Sequence, residues 1–249
     1  MSVEVVTSFS LDGYITYGQE FIASYAGNWA HPLTVYLDTP IPLDVNTRLT
    51  SQMHGWVGTR GRLRSGNPRA LEKSDSYLWN ARRYAVKPFI WHDAAKRMDS
   101  GILCWLDADT VTTGPVPAGI LEEMLGKHDV AYLGRGAMHP ENGCVVFRLP
   151  QAMPLLNWCR SAYMGRGFYR YWKDGWTDCH ALRRGLRSSR VRSRDLTSCK
   201  HSGQWRSHVD AFALSPLGPY VKHLKGNRQK REGRLIPLDE YKESYRLES

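Results

Sequence analysis

Asp107 and Asp109 stand one residue apart, directly after the apolar run Ile102-Leu103-Cys104-Trp105-Leu106. A short apolar run of this kind reads as a buried strand. Two carboxylates at its end project into one crevice, where their hard oxygen ligands suit a divalent cation such as Mg²⁺ or Mn²⁺. A cation there can bridge a ligand's phosphates and take up negative charge as a leaving group departs. An Asp-x-Asp pair also arises by chance as a solvated turn at a strand end, so the pair alone leaves both readings open.

The elements around the pair predict an α/β sheet that ends where it sits. Val3 to Phe9 is β-branched and apolar, Leu11 to Tyr14 turns, and Tyr17 to Trp29 carries Phe21, Ile22, Tyr25 and Trp29 at near-helical spacing. Leu33 to Leu37 is a second strand, so the opening reads as a βαβ unit with parallel strands. Open α/β sheets bind ligands at the carboxyl ends of their strands, which makes Thr7, Ser8, Phe9 and Asp38 candidate nucleotide contacts. Ser76 to Met98 is helical in pattern, with Pro88 marking a break or a restart. Beyond the carboxylates come a helix near 120–125, strands at 130–133 and 144–147, and helices at about 150–163 and 178–186. Trp29, Trp91, Trp105 and the Cys104 thiol read as core.

The run into Leu106-Asp107-Ala108-Asp109-Thr110, followed by Gly114-Pro115, resembles the metal-binding segment of GT-A-fold glycosyltransferases. Further pieces are similar in order. Arg82 to Phe89 looks like the helix such enzymes place over the sugar and diphosphate, with Lys87 facing in. Asn142 to Phe147 is similar to the strand after a Gly-rich turn beneath the acceptor. Trp176 to His180 resembles the acidic segment that meets the sugar, and His223 to Arg228 the late His-x-x-Gly motif. A departure is Asn227-Arg228-Gln229 where that motif often continues Lys-Pro-Trp.

The resemblance implies a Rossmann-type mixed central sheet flanked by helices, as a single domain over 1–249, with a nucleotide-binding half at about 1–110 and an acceptor-binding half at about 111–249. It implies Mn²⁺ or Mg²⁺ on Asp107, Asp109 and His223, and a UDP-sugar donor met by Arg83, Lys87, Asp107, Ala108, Lys225, Gly226 and Arg228. If the reaction inverts the sugar, Asp178 is a candidate general base and Glu141 its competitor. Asp178 also reads as the N-cap of the following helix, with Thr177 as rival.

The chain carries 34 Lys and Arg against 24 Asp and Glu, a formal charge of +10. A nucleotide-sugar donor needs only a few cations, so Arg60, Arg62 and Arg64, and again Arg187, Arg190, Arg192 and Arg194, ask for another partner or are a solvated surface. Interleaved with Ser, Gly and aromatic residues, they suit the phosphates of a DNA strand. A small, strongly basic enzyme of this type resembles the phage glycosyltransferases that decorate hydroxymethylated bases in DNA. Two alternatives stay open: a glycosyltransferase of surface polysaccharide or lipid-linked glycan in peripheral contact with anionic headgroups, and a non-enzymatic basic nucleic-acid-binding protein.

Other classes drop out. An apolar content of 42% supports a full core and excludes a disordered chain. The five cysteines form no Cys-x-x-Cys pair, which argues against a zinc ribbon and a disulfide framework. No stretch reaches the roughly 18 apolar residues of a membrane span, and Met1 to Thr7 lacks the pattern of a signal peptide. The expected location is the cytoplasm, or the host cytoplasm for a viral source. Neither a hydrolase nucleophile elbow nor a phosphate-binding Gly-x-x-x-x-Gly-Lys loop is present.

Overall fold

The computed structural model describes residues 2–37, 40–49, 81–136, 138–165, 177–197 and 211–224. Asp38, Arg60, Arg62, Arg64, Lys225, Gly226 and Arg228 lie outside the described residues.

A six-stranded sheet has the order β2 (Leu33–Tyr36), β1 (Val3–Ser8), β3 (Gly101–Leu106), β6 (Glu141–Leu149), β5 (Val130–Leu133) and β7 (Ser193–Asp195). β1 runs parallel to β2 and β3, β5 runs parallel to β7, and β6 alone runs against its neighbours β3 and β5. All six residues of β3 are buried, because both faces of this central strand are covered. That explains why its sequence is unbroken in apolarity rather than alternating.

The alternation reappears in what each side chain meets. Cys104 and Leu106 face a cluster with Phe21 and Tyr25 of helix Gln19–Ala26 and Leu121 and Leu125 of helix Ile120–Leu125. Leu103 and Trp105 face the other way, toward Trp91 of helix Ala81–Lys96, Leu155 of helix Met153–Met164 and Leu182 of helix Asp178–Ser188. Trp91 packs its ring 5.5 Å from Phe147 and 6.2 Å from Trp105. Truncating any of these fully buried aromatics to Ala costs about 3–5 kcal/mol.

Four local expectations are corrected. Leu11–Gly13 is a helical turn and Tyr14–Gly18 a π-helical stretch leading into Gln19–Ala26, rather than an open turn. Ser10 caps this start by accepting from Gly13 N–H at 3.2 Å. Pro88 breaks nothing: helix Ala81–Lys96 runs through it, its ring buried in the helix layer, at the loss of one backbone N–H. A two-stranded ribbon, β4 (Thr110–Thr112) against β8 (Val221–His223), went unread because its strands are three residues long and far apart in the chain. Finally, Ser193–Asp195 is an edge strand within the arginine-rich run, to which the sequence pattern assigns no element.

Two arginines make that edge. Arg192 donates from its backbone N–H to Asp129 Oδ2 at 3.0 Å and from its guanidinium to Asp129 Oδ1 at 2.6 Å, fastening β7 beside β5. Arg194 donates to the carbonyls of Glu123 and Met124 at 2.7 and 3.2 Å, near the C-terminus of helix Ile120–Leu125 where carbonyls lack intrahelical partners. The Arg192 hydrogen bonds hold the Asp129 carboxyl below its usual range, so the stability they give is present above the unfolded value and is lost as pH falls through the folded one. Asp129→Asn should therefore lower Tm by roughly 2–4 °C at pH 7. Thermal melts should show that deficit shrinking below about pH 3.9; a deficit independent of pH would remove the ionic explanation.

Candidate active site

β3 delivers Asp107 and Asp109 to the carboxyl edge of the sheet, and the chain then turns at once into β4. Asp107 N–H donates to the Gly143 carbonyl at 2.8 Å and Thr110 Oγ1 to the Asp107 carbonyl at 2.7 Å, which fixes the turn. β4 pairs antiparallel with β8, placing Thr110 opposite His223. His223 Nε2 lies 3.2 Å from Asp109 Oδ1. Ligand atoms of Asp107, Asp109 and His223 all fall within 4.8 Å of one another.

This donor set of two carboxylates and an imidazole fits Mn²⁺ well and Mg²⁺ less closely, since imidazole is a softer ligand than oxygen. The His223 ring sits 5.2 Å from the Phe212 ring, and its Nδ1 is buried without a hydrogen-bond partner. Among the described residues, packing rather than a hydrogen bond at Nδ1 thus orients it. Phe212 reaches this position because residue 143 is glycine: a Cβ there would come 2.6 Å from the Phe212 ring.

Lys87 is the local counter-charge. Its ammonium lies 2.8 Å from Asp107 Oδ1 and 3.2 Å from Asp178 Oδ2, the latter off the line of a hydrogen bond, and it donates to the Asn142 carbonyl at 3.4 Å. Burial pushes the Lys87 pKa down, but Asp107 and Asp178 outweigh it and hold the group above the ordinary lysine range, firmly protonated. Burial pushes the Asp107 carboxyl up, Lys87 pulls it back, and Asp109 raises it again, with a net upward shift. Trp105 Nε1–H adds a hydrogen bond to Asp107 Oδ1 at 2.6 Å.

Of the other expected residues, Arg83 is exposed on helix Ala81–Lys96 and acts electrostatically on Tyr17, whose phenol is raised by burial and then by Asp109. Ala108 is buried in the core beside the carboxylates. Thr7 is fully buried with an unpartnered hydroxyl, and Phe9 packs into the core with its ring 5.7 Å from Tyr14. Ser8 is half-buried at the end of β1. Thr177, not Asp178, is the N-cap of helix Asp178–Ser188, its side chain accepting from His180 N–H, which leaves the Asp178 carboxylate for Lys87. Glu141 pairs with Arg135. Arg187 and Arg190 are exposed, whereas Arg192 and Arg194 make the structural contacts above.

Sequence reasoning missed several participants. Trp105 could have been found, since it precedes Asp107 by two and shares its strand face. Tyr17, Phe212 and His139 carry no local signal; the His139 ring lies 4.4 Å from that of His180, which closes the segment Trp176 to His180 singled out by the resemblance. Burial, His180 and two arginines push the His139 pKa down to about 4.

No family model matches the chain, and no curated protein matches its sequence. Among solved structures it is similar to a glycosyltransferase involved in the glycosylation of the major capsid of PBCV-1. That likeness has a TM-score of 0.52 at 10% identity, over 93% of this chain and 99% of that one. GlyE of Streptococcus pneumoniae TIGR4 (apo form) is also similar, at TM-score 0.44 and 13% identity, over 78% of this chain and 45% of that one. So is the bifunctional WbbM, at TM-score 0.43 and 14% identity, over 78% of this chain and 38% of that one. The chain spans less than half of these last two. The fold is that of the GT-A glycosyltransferases, a mixed sheet with one reversed strand and carboxylates at the end of β3.

Asp109→Asn should weaken Mn²⁺ binding at least tenfold, with Tm little changed because the group lies in the crevice rather than the core. Gly143→Ala, acting through Phe212 on His223, should cost about 10–100-fold. Electron paramagnetic resonance titration of Mn²⁺ reads both, and full affinity in Asp109→Asn would remove the metal assignment.

Proposed function

We propose that the protein is a glycosyltransferase that moves a sugar from a UDP-sugar to a hydroxyl acceptor, with Mn²⁺ or Mg²⁺ held by Asp107, Asp109 and His223. The observation that carries this reading is the convergence of those three side chains at the carboxyl edge of a GT-A-type sheet, with Lys87 beside them. A cation bound there supplies charge neutralisation for the diphosphate. The chain's own part is to hold the donor and to place charge where the leaving group forms. Lys87, fixed by the fold before reaction rather than recruited from solvent, offers a cation to the diphosphate, and the exposed Arg83 on the same helix is a second.

In the transfer, the bond from the anomeric carbon to the diphosphate oxygen breaks with its electron pair leaving on the diphosphate. The acceptor oxygen forms the new bond, and its proton must go to a base. Asp178, beside Lys87 and next to the His139 and His180 pair, is the candidate base on an inverting course, with Glu141 its competitor; each carboxylate has a cationic partner, Lys87 or Arg135, that it would have to share with the acceptor.

The acceptor we propose is a hydroxymethylated base in DNA, supported by the +10 charge and by the exposed Arg187 and Arg190. The half-division of the chain goes with it, the donor meeting the first half and the acceptor the second. The test is nucleoside diphosphate release from a panel of UDP-sugars with Mn²⁺, in the presence of hydroxymethylated DNA, unmodified DNA or no acceptor. Release should require metal, rise only with hydroxymethylated DNA, and fall at least about 100-fold in Asp109→Asn. Release indifferent to DNA would move the acceptor to a glycan or lipid, and no release with any sugar would overturn the enzyme reading.

A further inference from the structure

Beyond Asp178, the helix Asp178–Ser188 continues along the sheet edge and forms one wall of a separate pocket of about 320 Å³. The end of β5, the segment after Gly134 and β7 complete it, with Arg135, Arg183 and Arg187 among the lining side chains and Tyr132 and Met138 as an apolar wall. Arg183 and Arg187 stand four residues apart on one helix face, at a Cβ spacing of about 5–6 Å that lets two guanidiniums close on one anion. The opposite face, with Ala181, Leu182 and Gly185, is buried.

The charges in this pocket do not cancel. Arg135 is paired with Glu141, and the one lining carboxylate among the described residues is Asp195. Asp195 Oδ1 accepts from Gly134 N–H at 2.9 Å, Thr197 N–H at 2.9 Å and Thr197 Oγ1 at 2.8 Å, so it is spent on closing the pocket floor. Gly134 is required for that closure, since a Cβ there would overlap the Asp195 carboxylate. Among the described residues neither Arg183 nor Arg187 has an acidic partner. Two guanidiniums lining a concave site beside an apolar wall suit recognition of a phosphate.

Position ties the pocket to the transfer site. Along the helix axis Arg183 lies about 7.5 Å and Arg187 about 13.5 Å beyond Asp178. Asp178 belongs to the buried face of the helix and the two arginines to the other, so the link between them runs past His180, which shares the arginine face. The His139 and His180 rings fill the interval, His180 on the same helix and His139 in the segment that lines the pocket at Met138 and Pro140.

We propose that this pocket is an acceptor subsite in which Arg183 and Arg187 hold one backbone phosphate of the nucleic-acid strand that presents the acceptor base. The assignment rests on the DNA-acceptor reading above, and it places a single phosphate rather than a general basic surface.

The experiment is fluorescence anisotropy of a short single-stranded oligonucleotide containing 5-hydroxymethylcytosine, titrated without metal or donor across a range of salt. The Arg183→Gln/Arg187→Gln double variant should bind about tenfold more weakly, and its log–log salt slope should be shallower by about 0.7, the change expected for one phosphate contact on a single strand. Arg97→Gln, which removes a half-exposed guanidinium paired with Asp93 away from the pocket, should leave the slope unchanged. An unaltered slope and affinity in the double variant would overturn the subsite, as would binding of a hexose phosphate in the pocket with none of the oligonucleotide. Because donor and metal are absent, failure of the UDP-release assay does not bear on this result, and UDP–Mn²⁺ affinity with Tm checks that the variant is folded.

Discussion

Carboxylates gathered in a half-buried crevice repel one another, and the Lys87 ammonium between Asp107 and Asp178 is the interaction that lets this site exist in the absence of a bound cation. Asp107 follows directly on β3 and Asp178 opens a helix 71 residues further along the chain, so Lys87 also couples the central sheet to the helix layer. The same charge that stabilises the folded arrangement is available to a diphosphate, because an ammonium shared by two carboxylates can exchange one of them for a phosphate oxygen. Stability and the proposed chemistry therefore draw on one residue, which sits on a helix held by Trp91, Phe89 and Ile90 in the core.

The reversed strand β6 is what completes the crevice. Running antiparallel between β3 and β5, it begins at the edge where its neighbours end, and so brings Glu141, Asn142 and Gly143 to the carboxylates. Gly143 admits the Phe212 ring, Phe212 packs on His223, and the β4–β8 ribbon sets His223 against Asp109. Each contact is local and modest, but together they leave His223 one orientation. Asn142 is fully buried with neither amide atom hydrogen-bonded, a cost accepted in the same few residues where charge is concentrated.

Basic residues divide by the company they keep. Arg192 and Arg194 hold β7 and a helix end in place, Arg135 pairs with Glu141, and Arg183 and Arg187 face a pocket. A single run of arginines in the sequence thus serves different purposes, and its composition cannot separate them because a guanidinium looks the same whether it meets a carboxylate, a carbonyl or solvent.

The sequence by itself determined the central strand and its Asp-x-Asp, the opening βαβ unit, and most helices, since apolar periodicity and strand-end carboxylates are properties of neighbouring residues. It also pointed to His223 through its resemblance to a known motif. Only the tertiary structure decided that Lys87 lies between Asp107 and Asp178, that Thr177 rather than Asp178 caps its helix, and that Phe9 and Thr7 belong to the core. It alone paired Thr110–Thr112 with Val221–His223, more than a hundred residues apart. Such pairings are invisible locally because their free energy comes from groups that meet only when the sheet, the ribbon and the helix layer have closed around them.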